Sequence, residues 1–279
     1  MWKQKFVLGI SGQFGSDDYV QLEQFKAAGF DGYFINITPQ RDLKAIAHRA
    51  RELGLEFQSV HAPYNRNNLL WEDAGQAGDA VLQDQLSCLR RSAEAGTDLV
   101  VEHAYIGFVH HDPNQLGVDR FGVMAEETRK LGIRMAIENT EGLEYLETLM
   151  EAFKDEPHVG FCWDSGHEQC YNHSQDLLAR WGHKLMGTHL NDNLGISRYD
   201  GEIFWTDDLH LLPFDGAIDW RDAAQRLNKC GFHGPLTFEL NRLSKPNRHE
   251  NDKYSAMTVE QYLAEAYSRA CRIQFLRNR

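Results

Sequence analysis

The chain lacks the cysteine pattern of a disulfide framework. Its five cysteines (Cys88, Cys162, Cys170, Cys230 and Cys271) are odd in number, scattered and never arranged as Cys-x-x-Cys. This points to a reduced, cytoplasmic setting in which the cysteines serve packing. Basic residues are in deficit: 29 Lys and Arg stand against 41 Asp and Glu, a formal net charge of −12. Phosphate contacts supply most nucleic-acid affinity, so this balance disfavours a polyanionic partner, although a local basic patch can coexist with it. Nothing in the sequence calls for a membrane, and the first apolar run, 6–10, is too short for a signal-peptide core. No low-complexity tract or polar tail suggests disorder, with hydrophobic residues at 42% and charged residues at 25%.

What the chain does have is alternation. Apolar runs of five to seven residues alternate with amphipathic segments, the pattern of βα units around a parallel sheet. Strands are expected at 6–10, 32–37, 55–61, 98–103, 133–138, 159–164, 184–190 and 235–240. The helices between them are expected from a Ser16-Asp17-Asp18 cap to Gly29, then over 39–53, 78–95, 119–131, 143–154, 175–181 and 219–230, with stops at Gly54 and Gly132. A last helix carries the apolar stripe Val259, Tyr262, Leu263, Ala266, Tyr267, Ala270 and Ile273. Eight units in 279 residues fit a single-domain α/β fold, the closed (β/α)8 barrel, which needs about 250. One loop insertion, 191–216, follows strand 7. In such a barrel the active site lies at the carboxyl ends of the strands.

Those ends carry metal-competent side chains. The run Val159 to His167 finishes a strand in Asp164 and places His167 three residues later. An Asp there, taken alone, reads as a helix cap. Yet His61, His103, Glu138, His189 and Glu239 occupy the same kind of position, and capping does not account for such recurrence. With Asp208 and His210 the candidates are His61, His103, Glu138, Asp164, His167, His189, Asp208, His210 and Glu239. All offer N or O donors and none is a thiolate, which favours a catalytic metal site over a structural one. Glu138, Asp164 and His189 lie 26 and 25 residues apart, about one βα unit each, and Glu239 follows one lengthened unit later. Neighbouring strands should therefore aim Glu138, Asp164, His189 and Glu239 into one mouth.

Five stretches carry a resemblance to the xylose isomerase-like TIM-barrel superfamily: Ser59-Val60-His61-Ala62-Pro63-Tyr64, Ile137-Glu138-Asn139-Thr140, Asp164-Ser165-Gly166-His167, His189-Leu190-Asn191-Asp192-Asn193 and Asp208-Leu209-His210-Leu211-Leu212-Pro213. The superfamily includes sugar isomerases and epimerases and the endonuclease IV type of apurinic endonuclease. In the epimerase branch the resemblance implies one divalent metal (Mn, Zn, Mg or Co) on Glu138, Asp164, His189 and Glu239, with Glu138 and Glu239 moving protons and His167 beside them. In the endonuclease branch it implies up to three zinc ions, with His61, His103, His167, Asp208 and His210 as further ligands and Glu138 bridging two of them. The acidic balance and the run His210 to Trp220 favour the sugar reading, with a small carbohydrate as partner; the trinuclear phosphodiesterase is the alternative. Lysine motifs of true xylose isomerase are missing.

Other residues have plainer readings beside the functional one. Tyr64, Trp205 and Arg242 are candidates for substrate binding, the last with Lys245 and Arg248 where many barrels bind phosphate. Tyr64 and Trp71 could equally pack their loop, and the basic trio could be a solvated face. Tyr199, Phe204 and Trp205 suit an aromatic lid or a contact in a homo-oligomer. Asn191 and Asp192 are expected to orient His189. His110-His111 reads as surface.

Overall fold

Eight parallel strands follow one another around a ring: β1 (Phe6–Ile10), β2 (Gly32–Asn36), β3 (Glu56–His61), β4 (Leu99–His103), β5 (Arg134–Glu138), β6 (Val159–Asp164), β7 (Leu185–His189) and β8 (Leu236–Phe238). The structure is a computed structural model that describes residues 4–15, 17–108 and 112–278. β1 pairs with both β2 and β8, and pairing continues strand by strand to β7. The ring closes thinly. Between β7 and β8 a single parallel bridge joins Leu190 to Phe238, with Leu190 N donating to Thr237 O at 2.8 Å and Glu239 N to Leu190 O at 3.3 Å. The Thr188 hydroxyl adds one acceptor for Thr237 N at 3.1 Å. This is a (β/α)8 barrel in one domain, as the alternation predicts.

The helices are α1 (Asp18–Ala28), α2 (Leu43–Leu53), α3 (Leu69–Glu72), α4 (Gln76–Ala95), α5 (Gln115–Leu131), α6 (Leu143–Ala152), α7 (Ser165–Cys170), α8 (Leu177–Trp181), α9 (Trp220–Lys229), α10 (Asp252–Ser255) and α11 (Val259–Arg277). Among the described residues, no helix is long and apolar enough to cross a membrane. The expected stops hold: α1, α2 and α5 end at Gly29, Gly54 and Gly132, each with a left-handed backbone. Two expected starts do not. The chain at 38–41 makes a turn, and α2 begins only at Leu43, where Asp42 accepts from Ala45 N at 3.0 Å. α5 starts earlier than 119 because Asn114 caps Gly117 N at 3.3 Å. The short α3, α7 and α10 are additions that period reading cannot find, being about one turn long.

Strand side chains alternate between two destinations. One set, including Leu8, Ile35, Val60, Val100 and Ile137, faces the helices in the main core. The other fills the barrel axis with Leu99, Val101, Ala136 and Cys162, with Met186 packed against them. That cluster lies beneath the polar ends of the strands.

Candidate metal centre

Strand register places the donors. His103 pairs with Glu138 across β4 and β5, and Asp164 with His189 across β6 and β7. Glu239 stands one residue beyond β8, where the last strand has already left its ladder. All nine donors singled out in the sequence meet at this end of the barrel, where three abutting groups made of them stand beside a fourth that brings in the Cys162 thiol with Glu138 and His189. His61, His103 and Glu138 form one, Glu138, Asp164, His189 and Glu239 a second, and Asp164, His167 and His210 a third; within each group the donor atoms lie within 4.8 Å of one another. Asp208 joins the third group through His167 Nε2 (3.5 Å) and His210 Nε2 (2.7 Å).

The geometry fits cations. Nε2 of His61 and of His103 each lie 3.3 Å from Glu138 Oε2, yet that oxygen has no hydrogen-bond partner. Asp208 Oδ1 is likewise buried and unbonded. Donors about 2.0–2.2 Å from a shared ion stand roughly 3–4.4 Å apart, which matches this spacing after a small contraction. Glu138 faces two groups at once, because its other oxygen, Oε1, lies 2.8 Å from His189 Nδ1. The same nitrogen is 3.1 Å from Glu239 Oε2.

Backbone carbonyls set the imidazole tautomers. Nδ1 of His61, His167 and His210 lies 2.9, 3.0 and 3.0 Å from the carbonyls of Ala62, Asn139 and Glu239. A carbonyl only accepts, so Nδ1 carries a proton and Nε2 is the nitrogen that faces inward. His210 has φ 49, a left-handed backbone that costs about 1 kcal/mol or more in a non-glycine residue. The aromatic rings of Tyr64, Phe34 and Tyr171 stack on His103, His189 and His167, with centroids at 4.4, 4.8 and 5.0 Å.

Electrostatics follow from three buried carboxylates and a partly exposed fourth, Glu239, among five imidazoles. Burial pushes Asp164 up to about 6 against the pull of His167. Burial would raise Glu239 too, but His189 overrides it and holds Glu239 at about 2. Glu138 and Asp208 also fall well below the usual carboxylate range despite burial, Glu138 chiefly through His189 and Asp208 through His210 and Lys245. Burial opposes protonation of the histidines, yet the carboxylates lift His167, His189 and His210 above the ordinary value. The protons held there supply the positive charge that divalent ions would otherwise bring.

Above the cluster opens a cavity of about 600 Å³. Tyr64 and Trp205, both expected near substrate, line it; Trp205 is 50% exposed. Arg242 does not. Its guanidinium donates to the carbonyls of Gln13 (3.0 Å) and Met257 (2.7 Å), tying the loop after β8 to the rest of the barrel, and of the three basic residues after β8 it is Lys245 that reaches the cavity wall, with Arg41 from the loop after β2. Arg248 is bound to Asp207 and Glu250 rather than solvated. Trp71 is a packing residue, buried with Nε1 donating to Ala104 O at 2.7 Å. Asn191 and Asp192 do not touch His189: Asn191 Nδ2 donates to Asp164 Oδ2 at 2.9 Å, and Asp192 accepts from Phe214 N, Ile218 N and Trp220 Nε1. Gly166 makes the first contact possible, since a Cβ there would lie 1.8 Å from Asn191 Oδ1. His110 and His111 fall outside the described residues.

Sequence reasoning missed three contributors. Asn139 accepts from Asp164 N at 2.8 Å and donates to Asp164 O at 2.9 Å, clipping the end of β6 to β5; its place directly after Glu138 was the only hint. Tyr171 follows His167 by four residues, one helical turn, which is a legible signal. Phe34 reaches His189 from across the barrel and leaves no trace in local sequence.

Comparison with known proteins bears on the fold and family. A family model described as xylose isomerase-like TIM barrel matches residues 22–259. A curated relative, uncharacterized protein y4fM of Sinorhizobium fredii (strain NBRC 101917 / NGR234), is 33% identical over 117 residues, 40% of this chain and 34% of that protein. The chain thus matches only about a third of that relative's length. Among solved structures, IolI with a zinc atom has a TM-score of 0.75 at 16% identity, covering 96% of this chain and 97% of that one. The 3-keto-D-glucoside 4-epimerase YcjR from E. coli scores 0.71 at 17% identity, covering 96% and 100%. With the family model matched over most of its length, the chain belongs to the xylose isomerase-like TIM-barrel family.

Proposed function

We propose that this chain is a divalent-metal-dependent isomerase or epimerase of a small sugar or related carbonyl compound. The observation that carries the reading is the group formed by Glu138, Asp164, His189 and Glu239, whose donor atoms face one another beneath the cavity. Its O and N donors suit Mn, Zn, Mg or Co. A cation bound there would polarise a substrate carbonyl and acidify the neighbouring C–H. Kinship in fold with a sugar epimerase and with a zinc-holding protein supports the same reading.

The residues divide the work by exposure. Glu239 lines the cavity and its side chain is 22% exposed, so its carboxylate is the one positioned to take the substrate proton. Glu138 is wholly buried and absent from the cavity wall, which suits a ligand better than a base. His167 also lines the cavity, and its Nε2 is the group in reach to return a proton. Trp205 and Tyr64 present flat apolar faces on which a sugar ring stacks.

A second reading has its own observation. The three abutting groups and the shared Glu138 also suit three zinc ions and a phosphodiesterase of the endonuclease IV kind. Elemental analysis after mild purification separates the two: one divalent ion per chain supports proton transfer, and three tightly held zincs support hydrolysis. Glu239→Gln is expected to abolish solvent-deuterium incorporation into a turned-over ketose while the circular dichroism stays unchanged. Undiminished exchange in that variant would remove Glu239 as the base.

A further inference from the structure

The cavity wall holds one more carboxylate, which neither the donor groups nor the proton transfer uses. Glu141 follows β5, is 4% exposed, and borders the cavity with His103, His167 and Tyr171. Its Oε1 accepts a hydrogen bond from Gly107 N at 3.0 Å, which pins it between the loops leaving β4 and β5. Among the described residues it forms no ion pair, and Oε2 has no partner. That oxygen is not among the sealed, unbonded atoms of the interior, so it opens to the cavity.

The cations on the same wall are each engaged by another carboxylate, the His167 imidazolium by Asp164 (3.9 Å) and Asp208 (3.5 Å). Arg41 is bound to Asp18 (2.8 Å) and to Asn36 O (2.6 Å), and Lys245 to Asp208 (3.2 Å). A phosphate entering the cavity would meet the unpaired carboxylate of a residue only 4% exposed, where repulsion is screened less than at the surface. Sugar hydroxyls would instead meet an ionised acceptor, the stronger kind of hydrogen-bond partner.

We propose that Glu141 is the specificity-determining residue of the cavity: its free oxygen accepts substrate hydroxyls, and its charge bars phosphorylated compounds. The hydroxyl half rests on the sugar reading above; the charge half does not. The probe is inorganic phosphate, titrated calorimetrically into the full chain carrying stoichiometric zinc and no excess. Glu141→Gln keeps an oxygen for Gly107 N and should bind phosphate about tenfold or more tighter than wild type, the order expected for one unit charge removed at low effective dielectric. Glu141→Asp, which keeps the charge, should bind as weakly as wild type. Glu151→Gln, an equal charge change at a 76% exposed helix position, should have no effect. Equal affinity in wild type and Glu141→Gln, or the same gain in Glu151→Gln, would overturn the proposal. Micromolar phosphate binding by the wild type would overturn it as well, since the charge would then bar nothing; failure of Glu239→Gln to abolish deuterium exchange would remove the proton-transfer reading separately and leave the phosphate result untouched.

Discussion

Asn139 shows how much of a site can rest on a residue that is not a ligand. Its side chain brackets the backbone of Asp164, and its own carbonyl faces His167 Nδ1. Asn139→Ala removes the bracket without removing a donor, so metal affinity should fall by about 10–100-fold while unfolding stays cooperative. Competition against a chromophoric chelator measures this, and unchanged affinity would assign the clip to folding alone. The donors themselves were legible because residue type and strand-end position coincide at His61, Glu138, Asp164, His189 and Glu239. Their supports were not. Asn191 holds Asp164 rather than its neighbour His189, and Arg242 spends its charge on two backbone carbonyls, because both outcomes depend on which loops meet in space.

At the scale of elements, the strands were read to within a few residues because each is a buried apolar run bounded by polar turns. The helix starts were less legible, since Asp42 and Asn114 compete with other polar residues for the cap. The insertion after β7 has almost no regular structure, and Asp192 organises its far end. One buried carboxylate accepts from Phe214 N (2.8 Å), Ile218 N (3.1 Å) and Trp220 Nε1 (2.8 Å), holding the loop against the start of α9. Replacing Asp192 by Ala leaves those donors buried and unpaired, at a cost of about 3 kcal/mol. Urea denaturation should show this loss, and hydrogen exchange should quicken first at 212–220. A change confined to global stability, with that segment still protected, would mean the loop is held by other contacts.

For the molecule as a whole, charge and metal are linked. In the metal-free protein the pKa values of His167, His189 and His210 lie above that of an unfolded histidine, so their stabilising contribution is complete below about pH 6.5 and is lost as pH rises through the elevated values. Glu239 works at the other end: held at about 2, it contributes above pH 4.5 and loses that contribution on acidification toward 2. The melting temperature of the metal-free chain should therefore decline between pH 7 and 9, whereas the loaded chain, whose imidazoles have given up those protons, should hold steady. Scanning fluorimetry of both forms tests this, and parallel declines would refute it. The closed barrel was legible from its eight-fold alternation, but no local pattern showed how lightly its last joint is made.

That joint lies where β7 meets β8, with one bridge and one hydroxyl in place of a full ladder. His189 ends the strand on one side and Glu239 follows the strand on the other. An ion bound by both, as the proposed function requires, would act as a clasp across the gap, and a chelator should then loosen the final strand as well as silence the chemistry. On that reading, starvation for metal would be a structural injury.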